Sequence, residues 1–211
     1  MKKLIILALM ATFTTASFAQ LVTGRSATYA KTKTESKNWS YVYVQYNPGS
    51  FSPSEGSSTT FNAFSLGFNK NWSLSSSIPL FLESGLGLQY SFASKNKVDY
   101  KLLSFKIPVG LTYVYEIPNS PVAIIPATGL DVRLSPMAKG EINGHSYNLL
   151  SKSDMGSSDA TWNVFQLGMH VGVNCRVWEK LLVGYAYQFD FTEIAKKVHV
   201  NQHNITIGYC F

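Results

Sequence analysis

The sequence predicts an all-β chain: a closed, antiparallel, up-and-down transmembrane β-barrel of eight strands. Three observations predict it. Large apolar residues alternate with small or polar ones along segment after segment. The opposite face carries Gly, Ala, Ser, Gln and Asn where a water-facing strand would carry Lys, Glu and Thr. The chain opens on an export-type leader, yet no later stretch is long and apolar enough for a spanning helix, which needs roughly 20 residues. Only helices and closed barrels satisfy every backbone polar group in lipid.

The leader comes first. Lys2 and Lys3 precede an apolar run from Leu4 to Phe13, and Ser17-Phe18-Ala19 forms a small-x-small cleavage site. Residues 1–19 are therefore expected to be cleaved, leaving 192 of the 211 residues. No Cys adjoins the cleavage site, which argues against a lipoprotein. Segment 20–38 shows no defined pattern, and 39–211 forms the barrel domain. Loss of Lys2 and Lys3 lowers the net charge from +6 to +4. Apart from Lys31, Lys33 and Lys37 the positive residues are scattered, with no basic stripe interleaved with aromatics, so nucleic acid is not an expected partner.

The strands follow in order. Segment 39–47 is apolar on both faces, so its orientation is left unassigned. Segment 61–69 sets Phe64, Leu66 and Phe68 against Ser65, Gly67 and Asn69. Segment 80–92 sets Leu80, Leu82, Leu86, Leu88, Tyr90 and Phe92 against Phe81, Glu83, Gly85, Gly87, Gln89 and Ser91. Segments 103–116, 122–134, 164–177 and 181–191 repeat the pattern, and the last opposes Ile205, Ile207, Tyr209 and Phe211 to Asn204, Thr206, Gly208 and Cys210. Small residues belong where space is short, inside a barrel whose lumen is just wide enough for side chains. The large apolar face then points to lipid. The connections 48–60, 93–101, 135–161 and 192–203 are read as external loops; 70–79, 117–121 and 178–180 are the periplasmic turns. Trp39, Trp72 and Trp178 fall at one set of strand ends and Trp162 at the other, as expected of interfacial aromatics.

The terminal stretch Asn204-Ile205-Thr206-Ile207-Gly208-Tyr209-Cys210-Phe211 resembles the closing strand of outer-membrane barrels. So do Ser65-Leu66-Gly67-Phe68, Leu80 to Gly87, Lys106-Ile107-Pro108-Val109 and Ile125 to Leu130. From about residue 39 onward the chain resembles the small outer membrane protein beta-barrel domain family, near the PorT-like and OmpA/OmpX-like barrels of Gram-negative bacteria. The resemblance implies insertion into outer-membrane lipid. It also implies that the row Ile205, Ile207, Tyr209, Phe211 is a signal read by the barrel-assembly machinery. These motifs are structural, and they leave the partner of the external loops open.

Inward charges are expected at Glu83, Lys106, Glu116, Asp131, Arg133, Arg176 and Asp190, with Glu116 near the periplasmic rim. Buried charges need partners, so these residues, with His170, read as an interior polar network that fills the lumen. A narrow solute channel is the alternative. His145, His199 and His203 lie in external connections with Ser146, Asp154, Asp159 and Glu193. Nothing in the sequence holds them at the ~3 Å that nucleophilic catalysis needs; an outer-leaflet lipid-modifying enzyme is the less favoured reading. No cofactor or metal is expected, since His199 and His203 are spaced for a helix and not a strand. Cys175 and Cys210 lie on opposite faces of non-adjacent strands and should be free thiols. The expected function is that of a non-enzymatic outer-membrane barrel presenting its external loops, mainly 135–161 and 48–60.

Overall fold

Period-two alternation becomes a ring of paired strands in the computed structural model, which describes residues 37–54, 56–95, 97–156 and 161–211. The leader, most of segment 20–38 and Asp159 lie outside the described residues. The strands are β1 (Trp39–Tyr46), β2 (Gly49–Pro53), β3 (Thr59–Ser73), β4 (Leu80–Lys95), β5 (Val98–Tyr113), β6 (Tyr115–Glu116), β7 (Val122–Ile142), β8 (His145–Asn148), β9 (Phe165–Val177), β10 (Leu181–Asp190) and β11 (Val198–Cys210). A one-turn helix, α1 (Lys152–Met155), follows β8 and stops at Gly156, whose φ is 67°.

Eight staves result. β1 and β2 form one stave, interrupted at Asn47-Pro48, because each pairs with β11 on one side and β3 on the other. The remaining staves pair antiparallel in the order β3, β4, β5, β7, β9, β10, β11, and β11 returns to β1. β6 and β8 are short extensions paired with β7. At the seam Tyr41 faces Cys210 and Ser40 exchanges two backbone hydrogen bonds with Phe211, at 2.9 and 3.0 Å.

β3 shows how the membrane sorts the strand. Its outward row reads Thr60, Asn62, Phe64, Leu66, Phe68, Lys70, Trp72: polar, then apolar, then interfacial. Its inward row is the reverse, with Phe61 and Ala63 followed by Ser65, Gly67, Asn69 and Asn71. β5 repeats this, with Asp99 and Lys101 outward beside inward Tyr100 and Leu102, then Leu103, Phe105, Ile107, Val109 and Leu111 outward. Beyond the lipid band the outward face meets water and the inward face becomes an ordinary apolar core.

That inversion corrects the expected loops. Segment 93–101 is mostly strand, since β4 runs to Lys95 and β5 begins at Val98. Segment 135–161 holds the end of β7, the β8 hairpin and α1. β2 occupies 49–53, and β11 begins at Val198, inside the expected last loop. Reading the strands only where apolar residues face out ended them at the edge of the lipid band.

The lumen is consequently layered. At the short-turn end, Trp39, Tyr41, Phe81, Ile125 and Leu182 pack with Val114, Ala123 and Cys210. At the opposite end, the mouth, Phe51, Phe61, Leu102, Leu149, Ile194 and Val200 form a second apolar cluster. Polar side chains lie between them.

Candidate functional site

Strand parity fixes which groups meet inside. Inward residues of β1, β3 and β4 bring Tyr41, Asn69 and Glu83 together. The Tyr41 hydroxyl and the Asn69 amide each donate to the Glu83 carboxylate at 3.0 Å. On β7 and β9, opposite, Asp131 Oδ2 lies 2.7 Å from His170 Nδ1. Arg133 forms an ion pair with Asp190 of β10, and its Nε donates to Gln166 Oε1 at 3.5 Å. Lys106 is buried beside a cavity of about 50 Å³ that it lines together with Glu83, Asp131 and His170.

The seven inward charges and His170 therefore divide. Glu83, Lys106, Asp131, Arg133, His170 and Asp190 are buried in the middle layer. Arg176 sits half-buried at the turn end, its guanidinium carbon 5.1 Å from the Trp39 ring centroid. Glu116 is exposed on β6. Much of the filling is neutral and adds to the charged residues expected there. Gln89 donates to Gln202 at 3.1 Å, Gln202 to Gln188 at 2.9 Å, and Asn47 to Asn204 at 2.6 Å, with Ser65 donating to Asn47 at 2.6 Å. Part of the signal was present: Ser65, Gln89, Gln188 and Asn204 share the inward parity of a recognised strand, whereas Asn47 ends the strand whose orientation was unassigned and Gln202 falls in the expected loop 192–203. Amides both donate and accept, so they chain across the lumen without a buried charge.

The aromatics divide too. Trp72 and Trp178 are exposed on the outer surface at the turn end. Trp39 and Trp162, expected at the lipid interface, are elsewhere. Trp39 shares the inward face of Tyr41 and stacks on it at 5.5 Å. Trp162 enters the mouth, against Phe51 at 5.2 Å and Tyr100 at 5.9 Å. Ile205, Ile207, Tyr209 and Phe211 stand exposed in one outward row along β11 and its end.

Two features remain for chemistry. The first is the mouth, where β2, β5, β7, β8 and α1 line a solvent-open cavity of about 440 Å³ with Phe51, Tyr100, Tyr147, Leu149, Asp154 and Trp162, among others, on its wall. The second is the set of histidines, which the fold disperses. His145 is on the exposed β8 and His170 is on Asp131. His199 and His203 follow the outward parity of β11, with Tyr185 Oη 2.7 Å from His203 Nδ1. Among the described residues no cluster of His, Cys, Asp or Glu is placed to hold a metal ion. Cys175 is exposed, Cys210 is buried, and neither is in a disulfide.

Known proteins place this architecture. Ail, the attachment invasion locus protein of Yersinia pestis, superimposes with a TM-score of 0.51 at 13% identity, covering 83% of this chain and 99% of its own. Neisserial surface protein A gives 0.50 at 17% identity, covering 82% and 97%. At such identities the likeness is one of fold. No curated protein sequence matches. The family described as "Outer membrane protein beta-barrel domain" matches residues 5–211, and the chain belongs to that family of outer-membrane β-barrels.

Proposed function

We propose that the protein is a non-enzymatic outer-membrane anchor whose filled barrel holds a structured external mouth for a surface partner. One observation carries this reading: the staves continue past the lipid band and enclose their own apolar core, with Phe51, Phe61, Leu102, Leu149 and Val200 inside. A chain needing only a membrane plug gains nothing from that extension. Loops on a rigid barrel are where binding residues concentrate, and short turns mark the periplasmic end, so the mouth faces outward. The two apolar layers and the amide chains support a lumen that does not serve transport. The dispersed histidines support a site without acyl-transfer or lipid-hydrolysing machinery.

The β7–β8 hairpin is the first contact surface. Its tip carries His145 and Ser146, both exposed. Converting both to Glu leaves the barrel staves untouched. Intact cells treated with a lysine-reactive cross-linker should give an adduct with the native protein that the double variant loses. An unchanged adduct pattern, with both proteins folded by heat-modifiable mobility, would overturn this reading.

A further inference from the structure

The cavity inside the mouth is a site in its own right, and we propose that it binds an organic ammonium ion with an apolar body, of the aryl- or alkyl-trimethylammonium class. This deepens the proposed binding role of the mouth and rests on it.

The cavity's volume, about 440 Å³, falls in the range of small-ligand sites. Four aromatic rings line it from separate parts of the chain: Phe51 of β2, Tyr100 of β5, Tyr147 of β8, and Trp162 just before β9. Trp162 is braced on both sides of the group, nearly parallel to Tyr100 (9°) and tilted against Phe51 (58°). Ring faces carry the negative end of the aromatic quadrupole and attract cations.

The charge of the wall has the same sign. Asp154 supplies the single charged side chain among the described lining residues. Its carboxylate is held at the cavity by the Asn148 N–H at 3.1 Å and the Ser153 hydroxyl at 3.2 Å. Lys95 touches the wall at Ser57, but its ammonium donates to Ser57 O, Ser57 Oγ and Ser58 O, each at 2.9 Å. An anion would meet a carboxylate and a wall of aromatic rings. A neutral apolar molecule would use the rings alone and leave the exposed Asp154 carboxylate to water. A bare metal ion would find one carboxylate and an apolar wall. A cation sheathed in methyl or aryl groups matches both the rings and the acid.

The test uses the full barrel in lipid nanodiscs, where no detergent tail competes. It is titrated with benzyltrimethylammonium, its uncharged isostere neopentylbenzene, and phenylacetate, and read by calorimetry and tryptophan fluorescence. Saturable binding of the cation is expected, at least tenfold tighter than either control. Asp154→Asn keeps an acceptor for the Asn148 N–H and removes only the charge; it should weaken the cation about tenfold, the size of a cation-recognition contribution. Trp162→Leu should weaken it more. Equal binding of either control, absence of saturable binding to folded barrel, or an unchanged affinity in Asp154→Asn overturns the proposal. The hairpin-tip variant at His145 and Ser146 should still bind the cation. Failure here with loss of the cell-surface adduct there removes the ligand class alone, while the reverse result removes the macromolecular partner alone.

Discussion

Tyr43 and Gly87 set each other's size. A Cβ built on Gly87 would sit 2.5 Å from the Tyr43 hydroxyl, with the next ring carbon at an ordinary 3.6 Å. Gly87→Ala is expected to destabilise the barrel by about 1–3 kcal/mol, the usual cost of overpacking. Tyr43→Phe in the same chain should recover most of that by removing the offending atom. Denaturant unfolding in lipid vesicles measures it, and purely additive effects would sink the idea. The glycines were legible from the sequence as a small inward face. What they make room for was not. Segment 39–47 is apolar on both faces, so parity alone could not tell that Trp39, Tyr41 and Tyr43 point inward. The same ambiguity put Trp39 at the lipid interface. The charged pairings were legible only as a need for partners. That Arg133 meets Asp190 and Asp131 meets His170 depends on register across staves, which local sequence does not carry.

Strand by strand, the lipid-facing half was the legible part. Leu66 and Thr60 share the outward face of β3, yet only Leu66 lies within the apolar row. Leu66→Lys should cost about 2–4 kcal/mol, as for a cation near the bilayer midplane, and Thr60→Lys close to nothing. Vesicle unfolding compares the two; equal costs would mean that the lipid boundary on this strand is misplaced. The upper halves of the staves escaped notice because their chemistry inverts there. In β5 the inversion leaves Leu102 and Leu103 adjacent, one inward and one outward, which reads as a break in alternation. A register shift between Leu103 and Phe105 against β7 adds to it. One signal would have found the β7–β8 hairpin: Asn143-Gly144, whose φ angles of 50° and 80° are those of a tight two-residue turn. The Trp178-Glu179 turn, at 51° and 60°, uses the same geometry without glycine and was recognised only by its length.

Taken whole, the barrel from Trp39 to Phe211 is a polar layer held between two apolar ones inside a lipid-facing wall. Ions crossing it would have to shed water at both apolar layers. Planar-bilayer recording of the purified barrel should show no stepwise conductance, and reproducible channel openings would revive the solute-channel reading. The eight-stave count was legible because seven staves carry a clear outward row and the eighth, 39–47, reads as strand from its apolar, aromatic run alone. Closure was inferred from the physics of lipid, and the β1–β11 seam supplies its geometry. That seam also makes assembly self-checking. Tyr41 near the start of the domain finds Cys210 only once nearly the whole chain is present. A ribosomal product cut short before β11 would leave β1 and β10 as open edges, and unpaired edges are not tolerated in the bilayer core. A copy without β11 would thus have no ring to seal, and the closing pair is the contact that turns a sheet into a wall.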